Sequence, residues 1–135
     1  MAGYYKPDKM IFEHFAINVT DIDSRIAWYV AHLDLQIVNA QREPPFMTFL
    51  ADSGGRVIME LYHRSDAEIT DFGTKHHLTF HMAFVSENAQ ADSERLVAKG
   101  ASYVEEVKKD DGSHLVMLRD PWGMPLQLCQ RTNRF

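Results

Sequence analysis

IFEHFAINV, residues 11–19, alternates. His14, Ala16 and Asn18 fall on one side, and Phe15, Ile17 and Val19 on the other, which is the period of a strand. A second alternating run, LTFHMAFV at residues 78–85, also carries a histidine among apolar residues. Each run opens the same succession. After Ile11–Val19, Asp21 takes a helix N-cap position, and Ile22, Ile26, Tyr29 and Leu33 recur at helical spacing until Asp34. Leu35–Gln41, Phe46–Ala51 and Val57–Tyr62 then read as strands. They are parted by Pro44-Pro45 and by the turn Asp52-Ser53-Gly54-Gly55. After Leu78–Ser86, Asn88 is the cap of a helix with Ala89 and Leu96 on one side, ending at Gly100. Ser102–Val107, His114–Leu118 and Pro125–Gln130 follow as strands, parted by Asp110-Asp111-Gly112 and by Asp120-Pro121-Trp122-Gly123.

The offset from His14 to His81, from Glu60 to Gln127 and from Asp21 to Asn88 is 67 residues in each case. Three polar pairs at one offset indicate tandem modules. The expected fold class is α+β: two βαβββ modules forming a curled eight-stranded mixed sheet around a metal cleft, in two curled sheets with two helices outside. Residues 1–135 are read as one such domain. Module one covers about 10–64, a polar linker about 65–75, and module two about 76–131.

Composition narrows the function. At 135 residues with 45% apolar content, the chain can bury a core. Net charge is −5 and no basic stripe exists, so nucleic acid is not expected as a partner. No apolar run is long enough for a membrane span, and residues 1–9 lack a signal-peptide core. The single cysteine, Cys129, forms no intrachain disulfide and reads as a small buried hydrophobe. This fits a reducing, cytoplasmic setting.

His14, Glu60, His81 and Gln127 each lie among apolar residues in strand context. Burying an ionised carboxylate without a partner costs several kcal/mol, and a cation removes that cost. If the two modules face each other about a pseudo-twofold axis, their first and fourth strands meet across one cleft. Two imidazoles, one carboxylate and one amide oxygen then suit a divalent first-row metal with positions left for water or substrate. Taken singly, each residue also has a bland reading as a satisfied core or surface side chain.

HFAINVTDID (residues 14–23), HMAFVSEN (81–88) and the closing DPWGMPLQL (120–128) resemble the vicinal oxygen chelate superfamily, which includes glyoxalase I, fosfomycin-resistance proteins, extradiol dioxygenases and bleomycin-resistance proteins. The resemblance covers nearly the whole chain. Two departures stand out. Asp34 occupies the usual glycine position after the first helix, and Gln127 the position of a metal-binding glutamate. The resemblance implies His14, Glu60 and His81, and also Gln127, as ligands of one divalent ion (Zn, Ni, Fe, Mn or Co). Because an amide accepts no proton near neutral pH, only Glu60 of the set can serve as catalytic base, and if it stays locked on the metal the base must come from elsewhere. His63 and His114 are candidates by residue type alone.

The leading expectation is a glyoxalase-like lyase or isomerase acting on a small-molecule substrate that chelates the metal through adjacent oxygens. One alternative is an Fe(II) or Mn(II) ring-cleaving dioxygenase, since two His and one carboxylate make its triad. Thiol transfer to a phosphonate would want a basic cleft, and only Arg119 stands near. Another alternative is a metal-free drug- or metabolite-binding protein. Strand parity gives Asn18, Phe49, Tyr62 and Met117 as pocket-lining residues. The resemblance implies a homodimer, with Tyr4, Tyr5 and Phe135 as interface candidates.

Overall fold

The computed structural model describes residues 8–135, so Tyr4 and Tyr5 lie outside the described residues. The chain divides into two compact units between Thr70 and Asp71. The first contains β1 (Phe15–Asn18), α1 (Ile22–His32), β2 (Gln36–Ala40), β3 (Thr48–Ala51) and β4 (Val57–Tyr62). The second begins with a 3-10 turn, Phe72–Thr74. It continues with β5 (Met82–Val85), α2 (Ala89–Ala98), β6 (Ser102–Lys108), β7 (His114–Arg119) and β8 (Pro125–Gln130). The eight strands are divided four and four, in the orders β1-β4-β3-β2 and β5-β8-β7-β6. In each sheet the first pair is parallel and the others are antiparallel.

The duplication extends to register. Ala16 pairs with Glu60, and Ala83 with Gln127. On the next strand over, Phe49 pairs with Glu60 and Met117 with Gln127. Paired residues project to the same face of a sheet. Each unit therefore sets its candidate ligand between an alanine and a larger apolar residue.

Alternation separates the two faces. In the first unit Met59 and Leu61 are buried while Glu60 and Tyr62 are half-buried, and α1 buries Ile22, Ile26 and Tyr29. In the second, α2 packs across β6, β7 and β8, with Leu96, Val116, Leu118 and Leu126 almost fully enclosed. Gln130 marks the helix side of β8, because its Oε1 accepts from the Ala89 amide at the start of α2. Gln127, three residues earlier, has the opposite parity. No helix among the described residues is long and apolar enough to cross a membrane.

Several boundaries differ from the sequence reading. Strand pairing begins at Phe15 and Met82, later than Ile11 and Leu78. Before β5 the chain turns instead of extending, with the Thr79 amide donating to the His76 carbonyl and the Leu78 amide to His76 Nδ1. The third strand starts at Thr48, not Phe46, because Phe46 sits at φ 61 after the cis Pro44-Pro45 peptide. Asp21 occupies the N-cap position but caps nothing with its side chain: its backbone is left-handed, φ 50, and its contribution is the carbonyl that accepts from Arg25 N. Asn88 does cap, accepting from Ala91 N at 3.0 Å. Asp34, at φ 57, is left-handed, which aspartate tolerates better than most residues, and Gly100 after α2 also has a positive φ, 113.

Candidate metal site

His14 immediately precedes β1 and is half-buried. Its Nδ1 lies 2.9 Å from Glu13 Oε1. A carboxylate at neutral pH only accepts, so Nδ1 carries the proton and a neutral ring presents a bare Nε2. That Nε2 lies 3.5 Å from Glu60 Oε1. Among the described residues no hydrogen bond reaches the Glu60 carboxylate, whose side chain is only 13% exposed. Donors about 2.0–2.2 Å from a shared ion sit roughly 3.0–3.5 Å from each other. The His14–Glu60 spacing therefore has the length of a ligand-to-ligand contact. The Phe49 ring meets the His14 ring edge-on at 5.2 Å and closes its flank.

His81 holds the equivalent position before β5. Its Nδ1 lies 3.3 Å from the His77 carbonyl oxygen. A carbonyl only accepts, so the proton is again on Nδ1 and a neutral ring leaves Nε2 bare. Gln127 is half-buried, and its Oε1 accepts from the Cys129 thiol at 3.4 Å. An amide oxygen has a second lone pair, so this contact leaves it able to bind a cation. Burial raises the Cys129 thiol above its ordinary pKa, against a smaller opposing pull from Arg131. The neutral thiol is the form that donates.

In the first unit His14 and the Glu60 carboxylate lie together. In the second, Gln127 holds the register that Glu60 holds, with His81 two residues before Ala83, the strand partner of Gln127. Among the described residues no three His, Cys, Asp or Glu side chains form a group that could hold an ion. The donor types within each unit, an imidazole with a carboxylate in the first and an imidazole with an amide oxygen in the second, are ones that suit a divalent first-row cation.

Several further candidates make hydrogen bonds of their own. Asn18 binds backbone: Nδ2 reaches the carbonyls of Arg64, Ala67 and Glu68 at 2.8, 3.2 and 3.3 Å, and Oδ1 accepts from Arg64 N at 2.7 Å. It clamps the chain leaving β4. His63 donates Nδ1 to the Val19 carbonyl at 2.7 Å and lines a pocket with Asp21, Ser24 and Phe46. His114 bonds through Nε2 to the Glu106 carboxylate. That contact holds Glu106 below its ordinary pKa, with Tyr103 assisting. Arg119 lies at the end of β7 with its guanidinium directed at backbone carbonyls. Sequence reasoning did not identify Glu13 or the His77 carbonyl as the groups that orient the two histidines. Glu13 was legible only as the neighbour of His14, and a carbonyl leaves no trace in residue type.

A search of the curated proteins gives no match. Among solved structures, the chain is similar to a mutant of the fosfomycin resistance protein FosX from Listeria monocytogenes, complexed with Mn(II) and a dihydroxypropylphosphonic acid. That match has TM-score 0.69 and 16% identity, covering 91% of this chain and 93% of that one. It is similar to a lactoylglutathione lyase from Agrobacterium tumefaciens, at TM-score 0.64 and 19% identity over 92% and 95% of the two chains. It is also similar to TnmS3, an antibiotic binding protein from Streptomyces, at TM-score 0.68 and 16% identity over 92% and 98%. At these identities the likeness is one of fold. Residues 11–128 match the family described as the Glyoxalase/Bleomycin resistance protein/Dioxygenase superfamily, and the chain belongs to it.

Proposed function

We propose that the protein is a metal-dependent, glyoxalase-like lyase or isomerase in which His14, Glu60, His81 and Gln127 are donors to one divalent cation. The observation that carries this reading is the His14–Glu60 contact at 3.5 Å, between an oriented imidazole and a mostly buried carboxylate with no hydrogen bond among the described residues. Its register is repeated at His81 and Gln127. The cation, when bound, polarises a substrate carbonyl held through two adjacent oxygens.

The chain's own residues do the rest. His14 and His81 donate bare Nε2 atoms. Gln127 donates an oxygen that stays neutral, so Glu60 is the single anionic ligand. With a divalent ion the four donors leave a net charge of +1, which favours a substrate that binds as an anion. With both imidazole lone pairs given to the cation and the amide not basic, Glu60 is the group of the four left to take a proton, and it serves as general base. Phe49, Tyr62 and Met117 flank the donors by strand register and give the substrate an apolar wall. We further propose a homodimer in the reducing cytoplasm, checked by light scattering.

A second reading is a ring-cleaving dioxygenase, favoured by the composition of His14, His81 and Glu60. Metal analysis of tag-free protein after reconstitution, followed by two assays, separates the readings. Proton exchange at the carbon beside the carbonyl of a hemithioacetal or acyl thioester, lost about 100-fold or more in Glu60→Gln, supports the lyase or isomerase. Oxygen uptake with catechols supports the dioxygenase. Protein that takes up no metal yet binds an apolar drug-like ligand overturns both and leaves a binding protein.

A further inference from the structure

The stretch before His81 is fastened to the second unit at several points. Arg119 donates from Nη1 to the Phe72 carbonyl at 2.9 Å and from Nη2 to the Lys75 carbonyl at 2.7 Å. The same Nη1 donates to the Gly123 carbonyl at 2.9 Å, in the turn between β7 and β8. At that turn two backbones touch: a Cβ on Gly123, which has φ 86, would lie 2.6 Å from Gly73 Cα. Phe72 and Phe80 bring their rings to 5.5 Å. His77 is buried and binds Glu105 of β6 through Nε2 at 2.6 Å, and its carbonyl receives His81 Nδ1. Residues 72–81 thus form a strap, pinned to the β7–β8 turn at one end and to β6 at the other.

From this we infer that Arg119 is a positioning residue for His81: it holds the strap whose His77 carbonyl fixes the imidazole with Nδ1 protonated and Nε2 bare. A planar guanidinium with donors in a fixed fork can hold three carbonyls at once, which a lysine ammonium on a flexible stem does poorly. Without the clamp the Phe72–Lys75 end lifts, the His77 carbonyl loses its place and the ring is free to exchange tautomers. The consequence for metal binding rests on the ligand role proposed for His81. The orientation of the ring does not.

The test reads the ring directly. Long-range proton–nitrogen NMR of the imidazoles, above the histidine titration range and without metal, assigns the tautomer of His81. The native protein shows the proton on Nδ1, and a folded Arg119→Ala shows a mixture. Cobalt(II) affinity falls about tenfold in the same variant, in the range for loss of a group that orients a ligand. In a His81→Ala background Arg119→Ala causes no further loss. If Arg119→Ala does not fold, Arg119→Lys is read by the same criterion. An unchanged His81 tautomer in a folded variant overturns the inference. If the native protein binds no cobalt but the tautomer still shifts, the proposed function fails and the positioning role stands.

Discussion

In the first unit His14 Nδ1 rests on Glu13, a neighbouring side chain that is 79% exposed. In the second, His81 Nδ1 rests on a backbone carbonyl inside a strap fastened by Arg119, by two touching glycines and by the His77–Glu105 contact. The strand register on either side is the same. The units also differ in their oxygen donor, a carboxylate at 60 and an amide at 127. A duplicated framework can therefore keep the places of two donor pairs while each copy settles orientation and charge by its own means. Under the proposed function the first unit would supply the charge and the proton acceptor, and the second an uncharged oxygen donor beside a histidine held by a backbone carbonyl.

The two units are expected to be alike in their cores. Leu50 and Leu118 occupy corresponding places on β3 and β7, and both are fully buried. Truncating either to alanine is expected to cost about 2–5 kcal/mol. Urea unfolding of the two variants checks this, and a loss below 1 kcal/mol at one position would show that its core is looser than the burial implies.

At the donors, Glu60→Ala is expected to weaken cobalt(II) binding roughly 100-fold or more. Gln127→Ala should cost about tenfold, because a direct anionic ligand outweighs a neutral one. Titration calorimetry ranks the two, and equal losses would erase the distinction between the units.

The helix starts give a smaller contrast. Asn88→Ala removes a side-chain cap and is expected to cost about 1 kcal/mol. Asp21→Ala removes no such bond. Asp21→Gly relieves a left-handed backbone and should be neutral or slightly stabilising. Thermal unfolding distinguishes these outcomes.

The smallest effect is a pH dependence at Glu106, in the second unit. The His114 hydrogen bond is the main cause holding the Glu106 carboxylate below its ordinary pKa. The folded state therefore binds fewer protons here than the unfolded state. Its contribution is present above the ordinary carboxylate pKa and fades as the pH falls through and below that range. Glu106→Gln should flatten the acid limb of a stability-against-pH curve between about pH 5 and 3, and should leave metal affinity unchanged.

Much of this framework was legible because strand alternation and the 67-residue offset are properties of residue type and spacing. Val57–Tyr62 and Pro125–Gln130, the strands carrying Glu60 and Gln127, have the same limits in the sequence reading and in the structure. What escaped depends on backbone conformation. Phe46 and Asp21 are left-handed, which alternation and cap preference do not disclose. Polar residues 65–75 read as a linker, and the sequence does not show how the chain there is held, at 64–68 by Asn18 and at 72–75 by Arg119. Both ties end on carbonyl oxygens, which every residue possesses. Strand parity gives the side on which Asn18 falls, but not the hydrogen bonds its amide makes to residues 64–68.

Anomalous diffraction from crystals loaded with cobalt or manganese addresses the account most directly. The prediction is a single anomalous peak about 2.0–2.3 Å from Nε2 of His14 and His81 and from side-chain oxygens of Glu60 and Gln127. A peak held by residues of one unit alone, or none at any of the four side chains, would contradict it.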